Sequence, residues 1–170
     1  VPDETKIDEE TGSQLAFQED VVPADTQLVV DEEFDGIYFQ LLNREKGNVR
    51  KQLFNITLES NGEKIQPNGY VLVRLPIPEG YNPTYLTVYY IASDGSGMQK
   101  LESYIDGGYI CFETTHFSEY AIVDESPNQG DTESPESNCV CGQYHTGPFA
   151  GIIKFFHKII YFFKNLFNKG

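Results

Sequence analysis

The residues with the most chemical potential sit near the C-terminal end, where Cys139, Cys141 and His145 form the run Cys-x-Cys-Gly-x-x-His. Thiolates and imidazole are good zinc ligands, and Gly142 lets the chain turn tightly behind the second Cys. Three ligands are one short of a closed tetrahedral set. His157, a water or a group from another chain would supply the fourth. Two other readings stand beside zinc: intermolecular disulfides, and no ligand role at all. A disulfide between Cys139 and Cys141 would close a small strained ring. With Cys111 the chain has three Cys, which is no disulfide framework, so cysteine usage does not fix the redox compartment. Cys111, inside the apolar run YICF, reads as a buried core thiol.

His116 and Ser118 invite a nucleophile-and-base reading, but no third member with readable spacing completes a triad. His-Phe-Ser-x-Tyr reads instead as the corner before a last strand, with Ser and His bonding backbone groups. Tyr120 is expected to pack there with its hydroxyl satisfied nearby. Asp94-Gly95-Ser96-Gly97 lacks the alternating acids of a calcium loop and reads as a hairpin turn. Asn55-Ile56-Thr57 fits a glycosylation triplet, but it falls within an expected strand. The acidic runs 8–10, 31–33 and 124–125 read as solvated surface.

Past the cysteines the chain changes character. Residues 149–170, FAGIIKFFHKIIYFFKNLFNKG, hold six of the twelve Phe and four Lys with no acid, whereas residues 1–148 carry 8 Lys and Arg against 26 Asp and Glu. Lys154, His157, Lys158, Tyr161, Lys164, Asn165 and Asn168 recur at steps of three, one, three, three, one and three, which is one face of an α-helix. Ile152, Ile153, Phe155, Phe156, Ile159, Ile160, Phe162, Phe163, Leu166 and Phe167 make the other face. Pro148 suits a first turn, with Thr146 or Gly147 near the cap, and Lys164 and Lys169 favour the C-terminal end of the helix dipole. Such a helix would be about 30 Å long. Its recurring Lys residues make spanning a bilayer costly. Lying flat in the interface buries the apolar face and turns Lys154, Lys158, Lys164 and Lys169 toward anionic headgroups. The alternative is that this face packs on protein, either on the rest of the chain or on other copies, because so many large apolar side chains are not left in water. A released, membrane-active peptide is a third reading.

The elements before this tail are short and β-rich. Residues 1–20 are polar and acidic and read as a flexible or loosely docked arm, with at most a short edge strand at 15–17. Strands are predicted at 27–30, 53–59, 70–75, 86–92, 101–104, 109–113 and 120–123, each β-branched or aromatic and bounded by turn residues. Residues 34–42, FDGIYFQLL, suit a helix slightly better than a strand, closed by Gly47 and Asn48. Asn61-Gly62, Asn68-Gly69, Asp94-Gly95 and Asp106-Gly107 supply turn residues that tolerate positive φ. Pro76, Pro78 and Pro83 mark a long crossing between strands. Val71, Val73 and Leu75, and Leu86, Val88 and Tyr90, alternate so as to give each strand one buried face.

Tight turns without alternating helices imply an all-β fold, an antiparallel β-sandwich of the Ig-like, Greek-key kind with one possible short helix. The domain would span 21–124. Residues 125–138, rich in Pro, Ser and acid, read as an extended disordered linker. The Cys/His knuckle at 139–148 and the amphipathic helix at 149–170 complete the chain. The net charge of −14 argues against nucleic acid as a partner. No run of about 20 uninterrupted apolar residues is present for an ordinary spanning helix. A start at Val1 is what a processed product or a piece of a longer protein would show.

Residues 23–124 resemble a sandwich module found near the C-terminal ends of large extracellular proteins of Gram-positive gut bacteria, clostridia especially. The resemblance rests on PADTQLVV (23–30), FNITLESNGEKIQPNGYVLVRLPIPEGYNP (54–83), LTVYYIASDG (86–95) and YICFETTHFSEYAIV (109–123). The ending THFSEYAIV is its most specific part, and CVCGQYHTGPF (139–149) matches the knuckle that precedes a Phe-rich tail in such proteins. The resemblance implies a non-enzymatic stalk or juxta-surface domain, extracellular and associated with the membrane surface or cell envelope. No Leu-Pro-x-Thr-Gly sorting motif is present, so covalent sortase anchoring is not implied.

Overall fold

The computed structural model of the chain describes residues 2–127. They form eleven strands, one α-helix and a single 3-10 turn at Pro83–Tyr85: β1 (Glu4–Ile7), β2 (Gln14–Phe17), β3 (Gln27–Glu33), α1 (Gly36–Lys46), β4 (Lys51–Ser60), β5 (Glu63–Ile65), β6 (Val71–Pro76), β7 (Leu86–Ile91), β8 (Met98–Leu101), β9 (Tyr104–Asp106), β10 (Tyr109–Thr114) and β11 (Glu119–Asp124). One sheet has the order β1-β2-β6-β10-β9 and the other β3-β4-β11-β7-β8, with β5 also pairing β4. Every pairing is antiparallel. The two sheets make a β-sandwich.

The sandwich core follows from strand alternation. Val71, Val73 and Leu75 of β6, Ile110 and Phe112 of β10, and Leu15 and Phe17 of β2 point inward from the first sheet. Leu28, Val30, Phe54, Ile56, Leu58, Val88, Tyr120 and Ile122 meet them from the second. The rings of Phe112 and Tyr120 touch across the gap at 4.9 Å between centroids. The Pro-rich segment after β6 carries the chain from the first sheet to the second, as Pro76, Pro78 and Pro83 lead one to expect. β6 pairs β10 while their successors β7 and β11 pair in the other sheet, so the two pairs interlock across the core.

A second apolar layer explains why β7 and β11 are buried on both faces. α1 lays Leu41 and Leu42, with Tyr38 and Phe39, on the outer face of the second sheet against Leu53, Tyr89, Ile91, Ala121 and Val123. The one-sided alternation expected of Leu86, Val88 and Tyr90 therefore describes only half of β7. Tyr89 and Ile91 are buried as well. The helix ends where Gly47 adopts φ +63° and its N–H donates to the Asn43 carbonyl, and Arg44 and Lys46 lie in the last turn, where the dipole favours cations.

The arm expected over 1–20 is corrected. β2 is an interior strand between β1 and β6, and its Leu15 is fully buried. The acids before it build the hairpin tip instead of repelling it. Asp8 Oδ2 accepts from the Thr11 N–H at 2.9 Å and from the Thr11 hydroxyl, and the Gly12 N–H donates to the Asp8 carbonyl. The strand expected over 101–104 is two strands, β8 and β9, parted at Glu102 and Ser103 and belonging to different sheets. β5, only three residues long and directly after the Asn61-Gly62 turn, is too short to read from sequence; it pairs with β4 beyond the residues β11 occupies.

Candidate functional site

The candidate zinc ligands Cys139, Cys141, His145 and His157 lie outside the described residues. So do the expected membrane-facing residues between Ile152 and Lys169 and the linker over 128–138. Among the described residues, no cluster of His, Cys, Asp or Glu is arranged to hold a metal ion, and no helix is long and apolar enough to cross a membrane.

The His116–Tyr120 segment is a corner built from hydrogen bonds. The Tyr120 hydroxyl donates to the His116 carbonyl at 2.6 Å and lies 2.8 Å from the Thr114 hydroxyl, which itself donates to the same carbonyl at 2.9 Å. Gln66 holds the next residue from both sides: its carbonyl oxygen accepts the Phe117 N–H at 2.6 Å, and its amide donates to the Phe117 carbonyl at 3.2 Å. The His116 ring stands edge-on to Tyr90 at 4.9 Å. The corner thus uses the His116 backbone, and Tyr120 is fully buried. Burial pushes the Tyr120 hydroxyl up to about 12, so it stays a neutral donor. The clamp role of Gln66 was missed, because a Gln in a polar loop carries no local signal.

A denser polar cluster closes the exit from the domain. Asp124 is fully buried, which corrects the solvated-surface reading of the run at 124–125. Its carboxylate accepts from the Asn82 N–H at 2.9 Å and from the Ser126 N–H at 3.0 Å and hydroxyl, with Arg50 Nη1 3.9 Å away. Burial pushes its pKa up, but these hydrogen bonds and the Arg50 charge outweigh burial and hold it below the usual range. Next to it, Glu125 accepts from Lys46 at 3.0 Å, the Thr87 hydroxyl at 3.0 Å and the Tyr89 hydroxyl at 2.7 Å. Burial again opposes the Glu125 charge, and the bonds from Tyr89, Lys46 and Thr87 hold its pKa down. Lys46 also lies over the Tyr89 ring, 3.7 Å from its centroid. These contacts tie the last turn of α1, β7 and the loop before β7 to the end of β11. The signal in sequence was only two acids in a row.

The two outer sheet faces differ. On the first sheet a register row crosses all five strands: Ile7, Gln14, Arg74, Cys111 and Tyr104. Arg74 pairs with Asp106 at 3.0 Å and lies 5.0 Å from the Tyr109 ring. Cys111, within this row, is fully buried, and burial pushes its pKa up. On the second sheet a row runs Asp31, Asn55, Glu119 and Ile91. The Asn55 amide donates to Glu119 and accepts from the Thr57 hydroxyl at 2.9 Å, so the side chain of the glycosylation-like triplet is already engaged. The Asp94 loop is a hairpin turn between β7 and β8, with the Gly95 N–H on the Ala92 carbonyl and the Ser96 N–H on Asp94 Oδ1. No protein-family model matches the chain.

Proposed function

We propose that this chain is a non-enzymatic surface module, extracellular and attached to the cell envelope. In this reading the sandwich is a spacer or interaction domain of Ig-like, Greek-key type, and residues 149–170 form a helix lying in the membrane interface. The observation that carries the spacer half is the exit clamp. A domain that transmits position or force to a following segment needs its last strand fixed, and a dense cluster of polar contacts does this at Asp124 and Glu125. The interlocked pairs β6/β10 and β7/β11, with the Tyr120 corner, support the Ig-like assignment. The anchor half rests on the tail's sequence: apolar burial supplies most of the binding, and each Lys near an anionic surface adds about 1 kcal/mol.

Replacing Phe155, Phe156, Phe162 and Phe163 together with Ser should abolish sedimentation with anionic liposomes. Retained binding by that variant would refute the anchor. High salt should weaken binding by the native chain without eliminating it, because only the Lys contribution is screened. A second reading follows from the Cys139, Cys141 and His145 run. The tail self-associates, with zinc or intermolecular disulfides locking the knuckle. That reading requires an oligomer whose size falls on dilution and on treatment with a chelator or reductant.

A further inference from the structure

We propose that Glu119, in the Asp31–Asn55–Glu119 row, is a proton-binding site that makes the second sheet tighter in mildly acidic than in alkaline solution. The geometry is unusual for a carboxylate. Glu119 is only 5% exposed. One of its oxygens accepts from the Asn55 amide, and the other, Oε2, is buried with no hydrogen-bond partner. A fully ionised carboxylate would leave that oxygen's charge unsolvated, whereas a carboxylic acid does not.

The groups facing it favour the neutral form. Across Asn55 lies Asp31 of β3, and Glu33 of the same strand is in the adjacent row of the same face. On the other flank β7 offers Ile91, which carries no charge. The charged residues of α1, Arg44, Glu45 and Lys46, lie in its last turn, where Lys46 is taken by Glu125. Lys64 of β5 acts on the site in the opposite sense and favours the ionised form. Burial, and then the charges of Glu33 and Asp31, outweigh the Asn55 bond and Lys64 and push Glu119 from 4.5 up to about 7. Glu33 is raised too, by its own burial and then by Asp31 and Asp35.

The sign follows from linkage. The folded chain holds this proton more tightly than the unfolded chain, so stability falls as pH rises from about 4.5 to about 7 and is level above that. The strand that carries Asp31 and Glu33 is β3, an edge strand that leads directly into α1. Ionisation of Glu119 sets three carboxylates against one another at this edge.

The test is urea unfolding of the full chain and of Glu119→Gln at pH 5 and pH 8. Gln keeps the acceptor for Asn55 and cannot ionise. Between these two pH values the unfolding constant of the native chain should rise roughly 70-fold more than that of the variant, from the difference between 4.5 and about 7. Equal changes in the two proteins would overturn the proposal. If Glu119→Gln does not fold, carbon-detected NMR titration of the Glu119 carboxyl in the native chain decides. A midpoint near 7 supports the site, and one near 4.5 overturns it. Glu33→Gln should move that midpoint down, whereas an unmoved midpoint would contradict the part assigned to the β3 carboxylates.

Discussion

Tyr120 and Asp124 stand four residues apart on β11 and stabilise the domain by different means. Tyr120 contributes a ring in the core and a hydroxyl on the His116 carbonyl. Tyr120→Phe keeps the ring and leaves the part-buried His116 carbonyl to Thr114 alone, so it should cost about 1 kcal/mol in urea unfolding. Asp124→Ala should cost more, roughly 2–4 kcal/mol, because it strands the Asn82 and Ser126 donors as well as removing a paired charge. The Asp124 and Glu125 carboxylates also set an acid limit. Their folded pKa values lie below the unfolded ones, so the stability they contribute is present above about pH 4.5 and is lost as pH falls through the folded values. Acid unfolding of Asp124→Asn should show a shallower loss below pH 4 than the native chain. The packing of Tyr120 was legible in sequence from the His-Phe-Ser-x-Tyr pattern, whereas the backbone bonds expected of the His116 and Ser118 side chains are made by Thr114, Gln66 and Tyr120 instead. The buried Asp124 was not legible, because an acid beside another acid normally marks solvent. Its partners come from residues 50 and 82, far along the chain.

Among the elements, the strands with strong β-branched or aromatic runs and turn residues at both ends were readable, and so was α1 with Gly47 at its end. Two failures have physical causes. β2 is four residues long and follows an acidic stretch, so composition pointed to an arm. The burial of Leu15, Ala16 and Phe17 only becomes visible beside β6, with which β2 pairs. β7 looked one-faced because nothing local announces that α1 covers the opposite side. Leu15→Ala separates an arm from a core strand. At a fully buried position it should cost about 2–5 kcal/mol in chemical denaturation, whereas a loosely docked arm would lose under about 0.5 kcal/mol.

For the whole molecule, charge segregation is the dominant feature. Residues 1–148 carry 26 acids against 8 bases, and residues 149–170 carry four Lys and no acid. If the tail is the anchor proposed above, its four Lys would be drawn to an anionic membrane while the acids of residues 1–148 would be repelled by it. Asp124 and Glu125 fix the end of β11 through their hydrogen bonds.

The most direct measurement is liposome co-sedimentation of the full chain beside a chain ending at Asn138, with anionic and with neutral lipid. The anchor account expects only the full chain to pellet, and to pellet more with anionic lipid. If neither chain pellets, the apolar face of the tail is satisfied by protein, the account of a membrane-held spacer is wrong, and assembly through the tail takes its place.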